Sequence, residues 1–410
     1  MSKESALNGL KWTTFANVSQ YVISFVLTII LARYLTLREY GITASFSIFT
    51  ILSKTLIDGG LSVALVQKKN ANEKHFNSVF WFNLIVSITL YVIIWFLAPK
   101  IGDFLKENDI TMVIRIISLV YISNALGISQ NAILLRELNF KKQTILNLIS
   151  LGISVIVALY CIYLDLGVYC IVYQLLAQSV ILNILLTLTS NWLPSFSFCK
   201  KSFLEMWHLG SRVLTVNLLN AVYTQLDGIF IGRLFQLRML GIYSRGKNFT
   251  QIVNSIYVNS IQTLTFSLLS KSKNEDNDTK FKFQHKMIFT HALFLLVIIC
   301  ALISTNSEGI IRILYGDKWI NSSFYLSWII FSLIPIFIST MSSQSLLAQG
   351  AGREYLKLFL FRKTPLFTTF ILGYFMGLEL FVISSVILNI FLIIIDFYFL
   401  SAVLNIPIKY

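Results

Sequence analysis

Residues Trp12 to Ala32 run for 21 positions without one charged side chain. No other feature of the chain limits its fold as strongly. An α-helix rises 1.5 Å per residue, so ~20 apolar residues cross the hydrocarbon core of a bilayer. The apolar part of a secretory leader is only about 7–15 residues, so this run is expected to be a retained span. The pattern recurs along the chain. Leu166–Cys199 and Trp319–Gly352 are each 34 residues long and uncharged. Each is long enough for one tilted span with interfacial sequence, and too short for two spans and a turn. The runs are continuous rather than alternating, which selects helices over barrel strands. Of 410 residues, 56% are hydrophobic and 13% charged, against roughly 25% charged in a soluble domain. Such a chain lacks the polar shell that water requires.

Span-length apolar segments fall at roughly 12–34, 40–66, 77–98, 112–134, 144–164, 167–189, 208–232, 240–268, 287–307, 320–348, 356–377 and 379–403. The expected fold is an all-α integral membrane protein of about 12 transmembrane helices. Lys and Arg set the orientation, because cytoplasmic loops are enriched in them. With the N-terminus inside, inner segments hold 18 of the 33 basic residues and outer loops hold 8. Both termini are therefore expected in the cytoplasm. The net charge of +14 follows largely from that bias and from contact with anionic lipid heads. It calls for no nucleic-acid partner.

The chain also repeats itself. Residues 29–42 read IILARYLTLREYGI and residues 229–242 read IFIGRLFQLRMLGI, an offset of 200 throughout. Ser129-Gln130 and Ser343-Gln344 form a second echo at an offset of 214. Six spans separate the long copies. Six is even, so both copies point the same way, as in transporters built from parallel repeats. The chemical role of the copied stretch is a local one, an outer-end turn with an Arg anchor and a Gly starting the next helix. The expected organisation is a six-helix bundle over residues 1–200 and another over 201–410, facing each other across a central cavity.

Further motifs lie in order along nearly the whole chain. They include Gly9-Leu-Lys-Trp12, Leu31-Ala-Arg-Tyr-Leu35, Glu39-Tyr-Gly41, Asp58-Gly-Gly-Leu61 and Ala64-Leu-Val-Gln67. Phe80-Trp81, Leu138-Asn-Phe140-Lys141, Leu240-Gly-Ile-Tyr243-Ser-Arg245, Gly316-Asp-Lys-Trp319 and Ala348-Gln-Gly350 continue the series. Together they resemble the Wzx-type polysaccharide flippases, in the branch like the colanic acid exporter. That superfamily includes the MATE-type multidrug extruders and the lipid II flippase. The resemblance implies transport of oligosaccharide repeat units on undecaprenyl diphosphate from the cytoplasmic to the periplasmic leaflet of a bacterial inner membrane. Membrane lipids are expected neighbours, and transport energy is expected from an ion gradient, with Na+ or H+ as candidate ions, or from the substrate gradient itself, with no cofactor. The sequence departs from the family at Leu37, where a proline is common, and in a short C-terminus.

A charge inside the hydrocarbon costs roughly 2.5–3.5 kcal/mol on insertion scales, so each is a functional candidate. The expected spans contain seven cations, Lys54, Arg115, Arg212, Arg245, Lys247, Arg362 and Lys363, against three acids, Asp58, Asp227 and Asp396. An anionic guest in a water-filled cavity would balance the surplus. Arg212 is the foremost phosphate candidate, since a guanidinium fork fits phosphate oxygens. Lys54, Arg245, Lys247 and Arg115 complete the expected cationic set. Arg245, Lys247 and Arg115 also suit snorkelling at the outer interface, and Arg362-Lys363 suit it at the inner one. Lys54 and Asp58 share a helix face, open to either a pair or a cavity role. Asp227 reads as a coupling site or as a partner for Arg212 or Lys54. Asp396 reads as paired or protonated.

Four cysteines and four histidines show no metal or disulfide spacing. No phosphate loop of the form G-x-x-x-x-G-K-[ST] is present, which argues against ATP hydrolysis. The polar stretch Lys271–Lys286 reads as a solvated cytoplasmic surface segment. A cation-coupled drug extruder of the same fold would favour an acidic cavity. A polysaccharide polymerase or ligase would need a sizeable outer loop, and the expected outer loops are short.

Overall fold

The computed structural model describes residues 3–68, 70–107, 109–258, 261, 278–348 and 352–404. Among the described residues the regular structure is helical, with no strand. Seven helices are long and apolar enough to cross a membrane. An eighth arises if Phe289–Thr305 and Ser307–Tyr315, bent by 69°, form one broken span. The chain is a multi-pass membrane protein. It divides into two compact units, Met1–Gly241 and Ile242–Tyr410.

The first unit comprises α1 (Lys3–Tyr34), α2 (Leu37–Asp58), α3 (Leu61–Gln67), α4 (Glu73–Leu105), α5 (Ile110–Ile117), α6 (Leu119–Arg136), α7 (Phe140–Tyr163), α8 (Tyr169–Thr189), α9 (Lys200–Leu234) and the first residues of α10 (Gln236–Val253). Helix α9 packs on α2, α3 and α4, so its contacts join it to this unit. The repeat offset, in contrast, makes α9 the first helix of the second copy. Thr36 starts α2 with a reciprocal cap. Its hydroxyl accepts from the Glu39 N–H at 3.3 Å, and the Glu39 carboxylate accepts from the Thr36 N–H at 2.8 Å. Two helix-end donors are thereby satisfied.

Span 40–66 is not continuous. Gly59 and Gly60 adopt φ of +58° and +69°, which ends α2 and starts α3. A side chain at Gly60 would meet the Gly210 carbonyl and Val213 of α9. The glycine therefore provides both the left-handed turn and the close approach.

The copied motifs meet within this unit. A methyl group at Gly41 would collide with the Leu237 carbonyl oxygen, and one at Gly241 would collide with the Leu37 carbonyl oxygen. Each copy's glycine thus accepts the other copy's leucine backbone.

The second unit continues α10 into a π-turn, Asn254–Val258, followed by α11 (Asp278–Thr305), α12 (Ser307–Tyr315), α13 (Ser322–Ile329), α14 (Leu333–Ala348), α15 (Gly352–Lys363), α16 (Phe367–Met376), α17 (Leu378–Phe391) and α18 (Ile393–Leu404). Its core gathers Leu296, Cys300, Ile330, Leu333, Phe337 and Met341. Pro365 interrupts span 356–377 with a short 3-10 turn, because it cannot donate a backbone hydrogen bond. Of the polar stretch, residues 271–277 lie outside the described residues, as do 349–351, which include Gly350.

Candidate functional site

A cavity of about 610 Å³ lies in the first unit. Helix α2 contributes Lys54 and Asp58, α6 contributes Asn124 and Asn131, α7 Asn147, α8 Asn183, and α9 Asn217 and Asn220. Helical spacing explains the convergence. Lys54 and Asp58 are four apart, Asn124 and Asn131 seven apart, and Asn217 and Asn220 three apart, so each pair shares one face. Among the lining residues the only charges are those of Lys54 and Asp58, which cancel formally.

Buried amides among helices need partners, because hydrocarbon offers none. A polar seam supplies them. The Asn183 amide nitrogen donates to the carbonyls of Ser123 (2.5 Å) and Ser179 (2.8 Å). Ser179 Oγ donates to Asn124 Oδ1 at 2.9 Å. Gln143 donates to Asn131 Oδ1 at 2.8 Å, and Asn147 donates to the Gln143 carbonyl at 2.9 Å. Gly127 leaves room for this arrangement, since a methyl group there would strike Asn183 Oδ1. Asn217 and Asn220 make no hydrogen bond to other described residues.

The eight singled-out charges lie in different surroundings. Lys54 and Asp58 line the cavity, and no ion pair joins them. Arg212 is exposed on α9, with Nη2 3.3 Å from His208 Nε2, and is not among the lining residues. Asp227 is half-buried and accepts from the Gly228 N–H at 2.8 Å. Arg115 lies over the Trp95 ring at 4.6 Å and donates to the Trp95 carbonyl at 3.3 Å. Arg245, Lys247 and Asp396 belong to the second unit. The buried Arg245 guanidinium lies 5.6 Å from the Tyr315 ring and 5.7 Å from the Trp319 ring. Lys247 lies 5.8 Å from the Tyr243 ring. Asp396 is fully buried and ion-paired with Arg362, which also donates to the Pro335 carbonyl at 3.0 Å.

Sequence reasoning pursued charges and passed over the six asparagines. The same-face spacings of Asn124/Asn131 and Asn217/Asn220 were the available signal. Near the start of α9, Glu205 accepts from Lys68 and faces His75 at 3.4 Å. The Lys68 hydrogen bond, and then that of His75, hold its carboxyl below the usual carboxylate range.

The fold is the twelve-helix fold of two solved transporters with which the chain superposes. A MATE family multidrug resistance transporter of the MOP superfamily, inward-facing, superposes with a TM-score of 0.76 at 16% identity, covering 95% of this chain and 98% of that one. The lipid II flippase MurJ superposes with a TM-score of 0.75 at 16% identity, covering 96% and 87%. The chain belongs to the polysaccharide biosynthesis protein family, whose model matches residues 30–324. It is 25% identical to the teichuronic acid biosynthesis protein TuaB of Bacillus subtilis, over 77% of this chain and 65% of TuaB. It is 20% identical to the lipopolysaccharide biosynthesis protein WzxC of Escherichia coli, over 77% of this chain and 64% of WzxC. The succinoglycan biosynthesis transport protein ExoT of Rhizobium meliloti is 22% identical over 78% of this chain and 64% of ExoT. The matched region thus spans a little less than two thirds of the length of these relatives.

Proposed function

We propose that this protein is a flippase. It moves oligosaccharide repeat units on undecaprenyl diphosphate across the bacterial cytoplasmic membrane by alternating access, for surface polysaccharides such as O-antigen, capsule or exopolysaccharide. Both termini lie in the cytoplasm. The observation that carries the reading is the amide-rich cavity with Lys54 and Asp58 on its wall. A polar head group needs such a lining, because polar and charged groups are costly to bring into the hydrocarbon unaccompanied. The family membership and the biosynthetic roles that TuaB, ExoT and WzxC are named for support the same cargo class. Two repeats, 1–200 and 201–410, form the working halves, and the reciprocal fit of Gly41 and Gly241 supports that division. Asp58, Asp227 and Asp396 are the acids available for Na+ or H+ coupling.

The test is a lipid extraction from cells depleted of the protein, with polyprenyl-linked oligosaccharides identified by mass. One complete repeat unit accumulates on its diphosphate carrier. Wild-type protein clears it and Lys54→Ala does not. Sensitivity to organic cations without an accumulated intermediate would instead establish a drug extruder.

A further inference from the structure

The cavity in the first unit has a composition that discriminates between the two ends of a lipid-linked oligosaccharide. Its charged lining is one lysine and one aspartate. A diphosphate carries multiple negative charge and offers only hydrogen-bond acceptors. It would need a surplus of cations, and this wall supplies none.

The seam fixes what each amide presents. Asn183 spends its nitrogen on two backbone carbonyls, which leaves its oxygen to accept. Asn147 gives one of its two amide hydrogens to the Gln143 carbonyl and presents the other together with its oxygen. Asn131 and Asn124 accept through their oxygens and keep their amide nitrogens to donate. Asn217 and Asn220 bring both functions, unengaged by other described residues. The wall therefore offers both donors and acceptors. A hydroxyl group is both donor and acceptor, and so is an N-acetyl amide. Phosphate oxygens would meet acceptor oxygens and the Asp58 carboxylate beside the donors, and an organic cation would meet amide donors and Lys54 beside the acceptors. The volume of about 610 Å³ falls in the ~300–1,000 Å³ range of small-ligand sites.

We infer that this cavity is a glycan subsite, in which seam-oriented asparagines bind the hydroxyls and N-acetyl groups of neutral sugar residues while the diphosphate is held elsewhere. The inference rests on the flippase reading for the origin of the sugar, but its chemistry is testable alone.

The experiment uses the full chain in lipid nanodiscs. Lactose, N,N′-diacetylchitobiose and inorganic pyrophosphate are titrated separately and in competition by calorimetry. At least one disaccharide binds, and pyrophosphate does not displace it. Asn217→Leu/Asn220→Leu weakens that binding at least tenfold, and these two side chains make no hydrogen bond within the described fold, so folding is spared. Gly127→Ala, which displaces Asn183, weakens it as well. Absence of disaccharide binding, equal binding by the double variant, or displacement by pyrophosphate would overturn the subsite. The depletion assay separates the two conclusions. A lipid-linked intermediate that accumulates while the disaccharides fail to bind removes the subsite and leaves the flippase. Disaccharide binding with no accumulated intermediate removes the flippase and leaves the subsite.

Discussion

In the first unit, Lys54 and Asp58 stand one helical turn apart on a cavity wall, and no ion pair forms between them. In the second, Arg362 and Asp396 close on each other, 5% and 0% exposed, and Arg245 is enclosed by the rings of Tyr315 and Trp319. The sequence places all five in spans, and nothing in their residue types separates them. What separates Lys54 and Asp58 from the Arg362–Asp396 pair is whether an opposite charge closes on them. Charges satisfied internally act as fasteners. Charges facing a space remain available to whatever enters it.

Removing a fastener has the largest expected effect. Asp396→Ala or Arg362→Ala leaves an uncompensated buried charge, at a cost of about 3–5 kcal/mol. The outcome is a steep loss of folded protein or of thermal stability in detergent. Replacing both partners with apolar residues of similar volume, Arg362→Met with Asp396→Leu, recovers most of that loss. If the double variant stays as unstable as the singles, the pair is more than a fastener.

The stability of the first unit rests on close backbone approach. Gly41→Ala forces a methyl group onto the Leu237 carbonyl, and overpacking costs about 1–3 kcal/mol. Gly241→Ala meets the equivalent carbonyl, and thermal unfolding of the two variants should fall together. A drop in one alone would break the expected symmetry.

Lys54→Ala and Asp58→Ala sharpen the contrast most directly. Away from packed or paired sites, substitutions stay within about 0.5 kcal/mol, so melting temperature holds while clearance of the lipid-linked intermediate fails. A melting loss comparable to that of Asp396→Ala would place these charges with the fasteners.

The smallest effect concerns pH. The Glu205 carboxyl is held below the usual carboxylate range by Lys68 and then His75. A depressed folded-state value means that the stabilisation is present above the ordinary carboxylate pKa and is lost as pH falls through the folded value. Melting curves should converge between wild type and Glu205→Gln in acid and separate near neutrality. Equal separation at every pH would show that Glu205 acts through packing alone.

The spans were legible because a 20-residue apolar run has few alternatives. The repeat was legible because it is a literal copy. Helix α9 was harder. It carries Arg212, Asn217, Asn220 and Asp227 among apolar residues, and it is not among the helices apolar enough to count as spans. Its polarity is that of a wall, since Asn217 and Asn220 face the cavity. The break at Gly59-Gly60 was present as a motif, but nothing local showed that α9 would press against it. The asparagines escaped notice for a physical reason. An uncharged amide costs far less than a lysine to place in a span, so it stands out little until several converge. Convergence is a property of tertiary structure. Arg212 stood out for its charge, and its placement on α9 turns it toward His208 instead of the cavity wall.

The crossing at Gly41 and Gly241 has a consequence beyond stability. Residue 41 receives backbone 237, and residue 241 receives backbone 37. A contact in which i meets j and j meets i is isologous, the kind that a two-fold axis produces between identical subunits. A half-length chain carrying one copy of the motif could make the same contact with a second molecule of itself. Fusion would then preserve the dimer seam as an internal one, and the two glycines would record a subunit boundary inside a single polypeptide.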